Sequence, residues 1–408
     1  MRILLIHNAY QHRGGEDAVV ESEIALLRSH GHEVDTWFRS NDDVAGMSSL
    51  SLARTTLWSD RTPQELGERI RSFRPDVIHA HNTFPLISPS LYWAAARAGV
   101  PVVQTLHNFR LMCLNALFLR EGKVCEDCMG QLPWRGVARA CYRGSHAASA
   151  ALAGMLTLHR GLGTYRNKVA RYIALNEFCR GKFIAGGLPA ERVVVKPNFV
   201  DWNDKQRLYP NPPPERVGVR RGLLFVGRLS VEKGIATLVG ALRALPDADL
   251  RVAGGGPEAG LFDGLAGVTR LGSQPSEVVR GEMGRALALV VPSIWYENFP
   301  RTIVEAFACG LPVIASRIGA LADIVRDGET GLLFDPGNPH DLADKMAWAL
   351  ANPERMAEMG RMARAQYKAE FSADVNYQRL MEIYDGALAE QRQVKDTSCK
   401  MQGSREEG

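Results

Sequence analysis

Short apolar runs recur along this chain, each followed by a glycine or polar turn and then by a helical stretch. They recur in two series. The first comprises residues 2–7, 33–38, 76–81, 102–107 and 172–175, with helical patterns between them at 17–29, 63–73 and 89–98. Strands that alternate with helices require crossover connections, and so a parallel sheet with helices on both faces. The second series is residues 223–226, 250–253, 268–271, 288–291, 312–315 and 331–334. Residues 203–222 lie between the series, with four prolines between 210 and 214, and read as an interdomain linker. The pattern predicts an α/β protein of two doubly wound, Rossmann-like domains, 1–202 and 223–374. A helix follows at 375–391. Residues 392–408 are polar and short of apolar anchors, so no ordered structure is expected there.

In such sheets ligands bind beyond the carboxyl ends of the strands. The chain's motifs obey that rule: Gly227-Arg228, Gly254, Ser293 and Ser316 each follow a strand. The richest is residues 296–316, YENFPRTIVEAFACGLPVIAS, which reads as loop, helix and strand. Asn298 is a candidate N-cap, Pro300 suits a first turn, and Gly310 ends the helix. Glu297 and Glu305 bracket that turn about two helical turns apart, so both carboxylates are expected to face one cavity at the helix N-terminus. The terminus suits a diphosphate, and carboxylates beside it suit the hydroxyls of a ribose or hexose. The arrangement predicts a nucleotide-sugar site.

Composition narrows the setting. No run of about 18 apolar residues is present, so no transmembrane helix is expected. The opening MRILLIH is too short for a signal-peptide core, and a cytoplasmic protein is expected. The net charge of +4 is uneven: residues 1–200 carry 24 Lys/Arg against 17 Asp/Glu, and the remainder 25 against 28. Residues 131–182 hold nine basic residues and one acid, Glu177. This basic half suggests an anionic partner, either the inner face of a membrane or a lipid-phosphate-linked acceptor; an ordinary solvated face is the plainer reading. Few aromatics interleave with these charges and no reading motif is present, so nucleic acid is not expected.

The paired glutamates, Gly310, Pro312, Gly319 and the segment Asp327-Gly-Glu-Thr-Gly-Leu-Leu-Phe resemble the retaining glycosyltransferase family 4, whose hallmark is two glutamates separated by seven residues. Phe225-Val-Gly-Arg-Leu, Glu232-Lys-Gly and Gly254-Gly-Gly-Pro extend the resemblance, which covers roughly residues 1–388 and is dense in the second half. It implies the GT-B architecture of two domains facing a cleft, an acceptor-side first domain, and a helical tail that returns to that domain. It implies a retaining, hexosyl-transferring enzyme. Arg228 and Lys233 would take the diphosphate, Glu305 the ribose hydroxyls and Glu297 the donor sugar. Gly227, Gly254, Gly255, Asn298 and Phe299 would contribute backbone near the nucleotide. The Gly14-Gly15 loop would approach the donor phosphates and acceptor, although no GxGxxG is present. His107, in Thr105-Leu-His-Asn-Phe-Arg, matches a histidine near the donor sugar. Asn108 stands where many relatives carry Asp, which weakens any histidine–carboxylate relay. His79 and His81 alternate on a strand end, where packing in the core explains them equally well. Pro300 replaces a small residue and removes one backbone donor.

No Asp-x-Asp pair stands where a donor-bound metal would need it. Arg228 and Lys233 can supply the charge that neutralises the departing diphosphate, so metal-independent transfer is expected. Four further residues, Cys113, Cys125, Cys128 and Cys141, fall within 29 positions, and Cys125-Glu-Asp-Cys128 has zinc-knuckle spacing. They occupy an insertion at about 110–145. A structural zinc is one reading, buried thiols another, a redox pair a third. The expected reaction is transfer of a hexose from a nucleotide diphosphate sugar, UDP-linked rather than GDP-mannose, to a growing glycan that is free or lipid-linked, as in surface polysaccharide synthesis. A GT-B epimerase and a non-catalytic nucleotide-sugar-binding protein are the alternatives.

Overall fold

The structure, a computed structural model, describes residues 1–11, 14–201 and 220–406. The chain forms two compact units. The first comprises Met1–Ala116, Glu126–Lys196 and the chain from Tyr377 on; the second comprises Leu117–Cys125 and Pro197–Asn376. Most of the expected linker, residues 203–219, lies outside the described residues.

The first unit is built on six strands, β1 (Arg2–Ala9), β2 (Glu33–Ser40), β3 (Val77–Ala80), β4 (Val102–Thr105), β7 (Arg171–Ala174) and β8 (Val193–Val195). All pair in parallel, in the order β2-β1-β3-β4-β7-β8. The central run Ile3, Leu4, Leu5 and Ile6 is fully buried, as a strand covered on both faces requires. The helix Gly15–Ser29 lays Val20, Ile24 and Leu27 against this sheet.

The long helix Ala373–Glu406 seats Leu380, Ile383, Tyr384 and Ala387 among Ile3, Leu27, Val77, Val103 and Ile173. Its Glu390 pairs with Arg171 and Arg192. The C-terminal segment therefore completes the first unit's core. The helix also corrects the expectation of an unstructured tail, since the backbone is helical through Glu406. Residues 392–406 include two each of Gln, Arg and Lys, which have good helix propensity.

A short hairpin of β5 (Leu119–Arg120) and β6 (Lys123–Val124) turns through Glu121 and Gly122, both at positive φ. The sequence places it in the first domain's insertion. It groups instead with the second unit, where the Phe118 ring meets Tyr296 edge-on.

The second unit carries β9 (Leu223–Val226), β10 (Leu250–Ala253), β11 (Val268–Gly272), β12 (Ala288–Val291), β13 (Val313–Ser316) and β14 (Gly331–Phe334), parallel in the order β11-β10-β9-β12-β13-β14. One face packs on the helices Ile235–Ala244 and Pro339–Ala351, the other on Arg301–Ala308 and its neighbours. The strand order reverses at β9 and β12, which fixes where a ligand crevice can open.

Candidate active site

In the second unit, the loops after β9 and β12 carry the expected donor residues. Gly227 donates its N–H to Ala253 O, and Leu229 to Gly255 O, which ties the loop after β9 to the loop after β10. Gly254 is required there by contact. Its φ is +154°, and a Cβ would lie 1.8 Å from Gly227 O. Gly254 thus lets the two loops touch.

Lys233 ends a 3₁₀ turn, Val231–Lys233, and Gly234 follows in the left-handed region at φ +70°. A Cβ on Gly234 would sit 1.8 Å from Pro292 O, so only glycine lets this turn press against the chain beyond β12. That approach delivers Lys233 Nζ to Glu297 Oε1 at 2.5 Å, where Ser293 Oγ also donates at 2.7 Å. The Lys233 ammonium also lies 5.7 Å from the Trp295 ring centre. Burial alone would raise the Glu297 pKa; the Lys233 charge and the donors from Lys233 and Ser293 reverse this and hold the carboxyl below its ordinary range. Arg228 is exposed in the loop that follows β9.

The helix after the loop runs Arg301–Ala308, with Pro300 at the N-cap and no side-chain cap. Asn298 is therefore not the cap; it and Phe299 belong to the preceding extended loop. Proline has no N–H to lose at this position and sits at φ −74°, which sets the helix start. Glu305 faces Arg301 Nε at 3.2 Å. Its burial raises its pKa, only partly countered by Arg301 and Arg280. The two glutamates thus sit in opposite environments: Glu297 is a charged acceptor fixed by a lysine, and Glu305 a carboxyl more readily protonated than usual.

In the first unit, the ends of β1, β3 and β4 converge on a buried polar cluster. Glu23 projects from Gly15–Ser29 and is fully buried. It meets His79 Nδ1 at 2.9 Å, His81 Nε2 at 3.3 Å and Lys196 Nζ at 3.1 Å. Burial opposes its charge, but Lys196 and the histidines win and drive its pKa well below the ordinary value. His81 Nδ1 lies 2.8 Å from His107 Nε2. One ring donates this hydrogen bond and the other accepts it, so the two tautomers are linked. Burial lowers both pKa values, that of His81 to about 3, so both rings are neutral. Around them lies a small cavity, about 50 Å³, lined by Asn82, Gln104, Asn108 and Arg110 among others. Asn108 Nδ2 donates to Glu16 Oε1 at 3.0 Å.

Glu23 and Lys196 were not singled out from the sequence. The available signal was a carboxylate inside the apolar stripe Val19, Val20, Ile24, Leu27. Glu23, His79 and His81 also bring ligating atoms within 4.8 Å of one another. The Lys196 ammonium already supplies a positive charge to that group. The Gly14 N–H caps onto Asp17 Oδ2 at 2.7 Å, and a Cβ on Gly15 would meet nothing within 4 Å. Neither glycine is demanded by a positive φ.

Of the four clustered cysteines, Cys113 and Cys128 are buried and Cys125 and Cys141 half-buried. Cys113, Cys128 and Cys141 belong to the first unit and Cys125 to the second. Cys113 Sγ lies 2.9 Å from Asn115 Oδ1, and the Cys141 N–H donates to Gly136 O. A Cβ on Gly136 would lie 3.4 Å from Cys128 Sγ. Cys309 is a core thiol whose pKa burial raises to about 12.

Comparison with known proteins places both units. Residues 215–366 match the family described as "Glycosyl transferases group 1", and residues 14–198 the "Glycosyl transferase 4-like domain". The chain is 34% identical over 399 residues to the D-inositol 3-phosphate glycosyltransferase of Arthrobacter sp. (strain FB24), covering 86% of this chain and 85% of that protein. A protein of the same name from Corynebacterium glutamicum (strain R) is 37% identical over 183 residues, 40% of this chain, and there the match spans 43% of the relative's length. Among solved structures, Anabaena HepE in complex with UDP superposes with a TM-score of 0.63 at 18% identity, covering 94% of this chain and 99% of that one.

Proposed function

The chain belongs to glycosyltransferase family 4, of GT-B fold, and from that membership we propose that it transfers a hexose from a nucleotide diphosphate sugar, with retention of configuration and without a metal. The observation that carries this reading is the Lys233–Glu297–Ser293 constellation at the reversal point of the second sheet. Arg228 and Lys233 would neutralise the charge that develops on the departing diphosphate. Glu305 would hold the ribose hydroxyls, and Glu297 the hexose. His107, neutral and paired with His81, would hydrogen-bond the sugar. UDP is the favoured nucleotide, in line with the UDP in the HepE complex. The acceptor would be the hydroxyl of a lipid-linked glycan, as in surface polysaccharide assembly, reached at the inner membrane face. No helix among the described residues is long and apolar enough to cross a membrane. Zinc on Cys113, Cys125, Cys128 and Cys141 is proposed from the Cys125-x-x-Cys128 spacing, with a structural role; metal analysis of the purified protein tests it.

The testing experiment is a thermal-shift panel of UDP-, GDP- and ADP-sugars, followed by acceptor-free nucleotide release on the best binder. Stabilisation by one donor, with release abolished in Arg228→Ala and Glu305→Ala, is the expected result. Conversion of the donor without nucleotide release would favour an epimerase. Binding with no turnover would favour a non-catalytic protein, and an inverted product would overturn retention.

A further inference from the structure

A cavity of about 580 Å³ opens in the first unit between the helices Ser49–Leu57 and His146–Gly161. That is the volume of a small-molecule pocket. Its walls are apolar, including Val44, Leu52, Ala53, Ala151 and Leu152, and Leu50 in its lining is 82% exposed. It is also cationic. Arg110 and Arg143 line it, and no Asp or Glu does. The Arg110 guanidinium lies 4.7 Å from the Phe84 ring centre and 5.3 Å from that of Tyr142, which Arg143 also covers at 5.6 Å. Neither arginine has a salt-bridge partner among the described residues. The carboxyl near Arg110, Glu16, is bonded to Asn108 and does not line the cavity. Further along the chain, Leu132 and Trp134 are each 61% exposed, and exposed apolar side chains of this kind suit a lipid surface.

We propose that this cavity holds the apolar chain of a lipid-linked acceptor, with the phosphate ester of that chain between Arg110 and Arg143. The ligand class is a long-chain phosphate ester borne by a membrane. The apolar walls favour it over free phosphate, and the paired guanidiniums favour it over a neutral alcohol. Asn82, Phe84 and Arg110 line both this cavity and the one around His107, so a saccharide beyond the phosphate leads toward His107 and Asn108. The inference rests on the transferase reading for its purpose, but not for its test.

The test is titration of the full chain with dodecyl phosphate below its micelle concentration, beside dodecanol and inorganic phosphate. Each buried methylene strengthens binding about fourfold, so the chain-bearing phosphate is expected to bind at least tenfold tighter than inorganic phosphate. Arg143→Gln removes one of the two guanidiniums and is expected to weaken dodecyl phosphate at least tenfold while leaving dodecanol unchanged. Ala151→Phe and Ala53→Phe fill the cavity from opposite helices, and each is expected to weaken the probe at least tenfold, with circular dichroism confirming the fold. No binding of dodecyl phosphate, binding independent of the chain, or binding unmoved in both folded phenylalanine variants would overturn the proposal. UDP binding is followed on the same wild-type sample. Probe capture without UDP binding removes the transferase reading and leaves the cavity assignment. UDP binding without probe capture does the reverse.

Discussion

Lys233→Met removes the only ammonium placed on the buried Glu297 carboxylate among the described residues. The Glu297 side chain is 7% exposed and that of Lys233 27%, so the pair is shielded on one side only. Breaking a fully buried pair costs about 3–5 kcal/mol. Water reaching Lys233 reduces this to about 2–3 kcal/mol. For a domain of this size that is a fall of about 5–10 °C in Tm. The cause is identified by a cycle. Lys233→Met/Glu297→Gln leaves no unpaired charge and is expected to recover at least half of the loss, because Ser293 still satisfies the amide. The pH dependence follows too. Without the ammonium, burial raises the Glu297 pKa above its unfolded value. The protonated form is then the stable one, so the variant's deficit is largest at neutral pH and shrinks as pH falls through the raised pKa. Urea unfolding of wild type, Lys233→Met, Glu297→Gln and the double variant at two pH values measures all of this. A Lys233→Met protein as stable as wild type, or a double variant no better than the single one, would refute the reasoning.

Three other outcomes are expected. Gly234→Ala puts a Cβ at 1.8 Å from Pro292 O and at positive φ, so it should cost at least about 2 kcal/mol and abolish UDP binding, read by thermal shift. His81 and His107 are held neutral in the folded protein and protonate near pH 6.5 in the unfolded chain. Stability should therefore fall as pH drops below about 6.5, by about 3 kcal/mol at pH 5.5, while Glu23, with its depressed pKa, contributes nothing to the change in that window. A flat urea midpoint between pH 8 and 5.5 would contradict this. Leu380→Ala, fully buried in the first unit's core, should cost about 2–5 kcal/mol in urea unfolding, as a core truncation and not a tail substitution.

The strands were legible because each is a short apolar run closed by a turn, and the parallel order follows from the helices between them. β8 was not, since Val193–Val195 is only three residues long. The helix start at Arg301 was misplaced because Asn298 is an ordinary capping residue, while the fixed φ of Pro300 sets the start two residues later. Residues 392–406 were misread because sequence polarity reports packing, not backbone conformation. In the second unit the site motif is contiguous, and Glu297, Glu305, Arg228 and Lys233 could be named. What the sequence hid was pairing: that Lys233 rests on Glu297, and Glu305 on Arg301. In the first unit Glu23 and Lys196 are 173 residues apart, and only the fold brings them to His79 and His81.

The central claim is that the loops beyond β9 and β12 hold a nucleoside diphosphate. Calorimetric titration of UDP into the wild-type chain and Arg228→Ala tests it most directly. One charge-assisted hydrogen bond contributes about 1.5–3 kcal/mol. Saturable binding to wild type, weakened at least tenfold in Arg228→Ala, is the predicted result. Absence of saturable binding by the wild type for both UDP and GDP, or equal affinity in the two proteins, would contradict it.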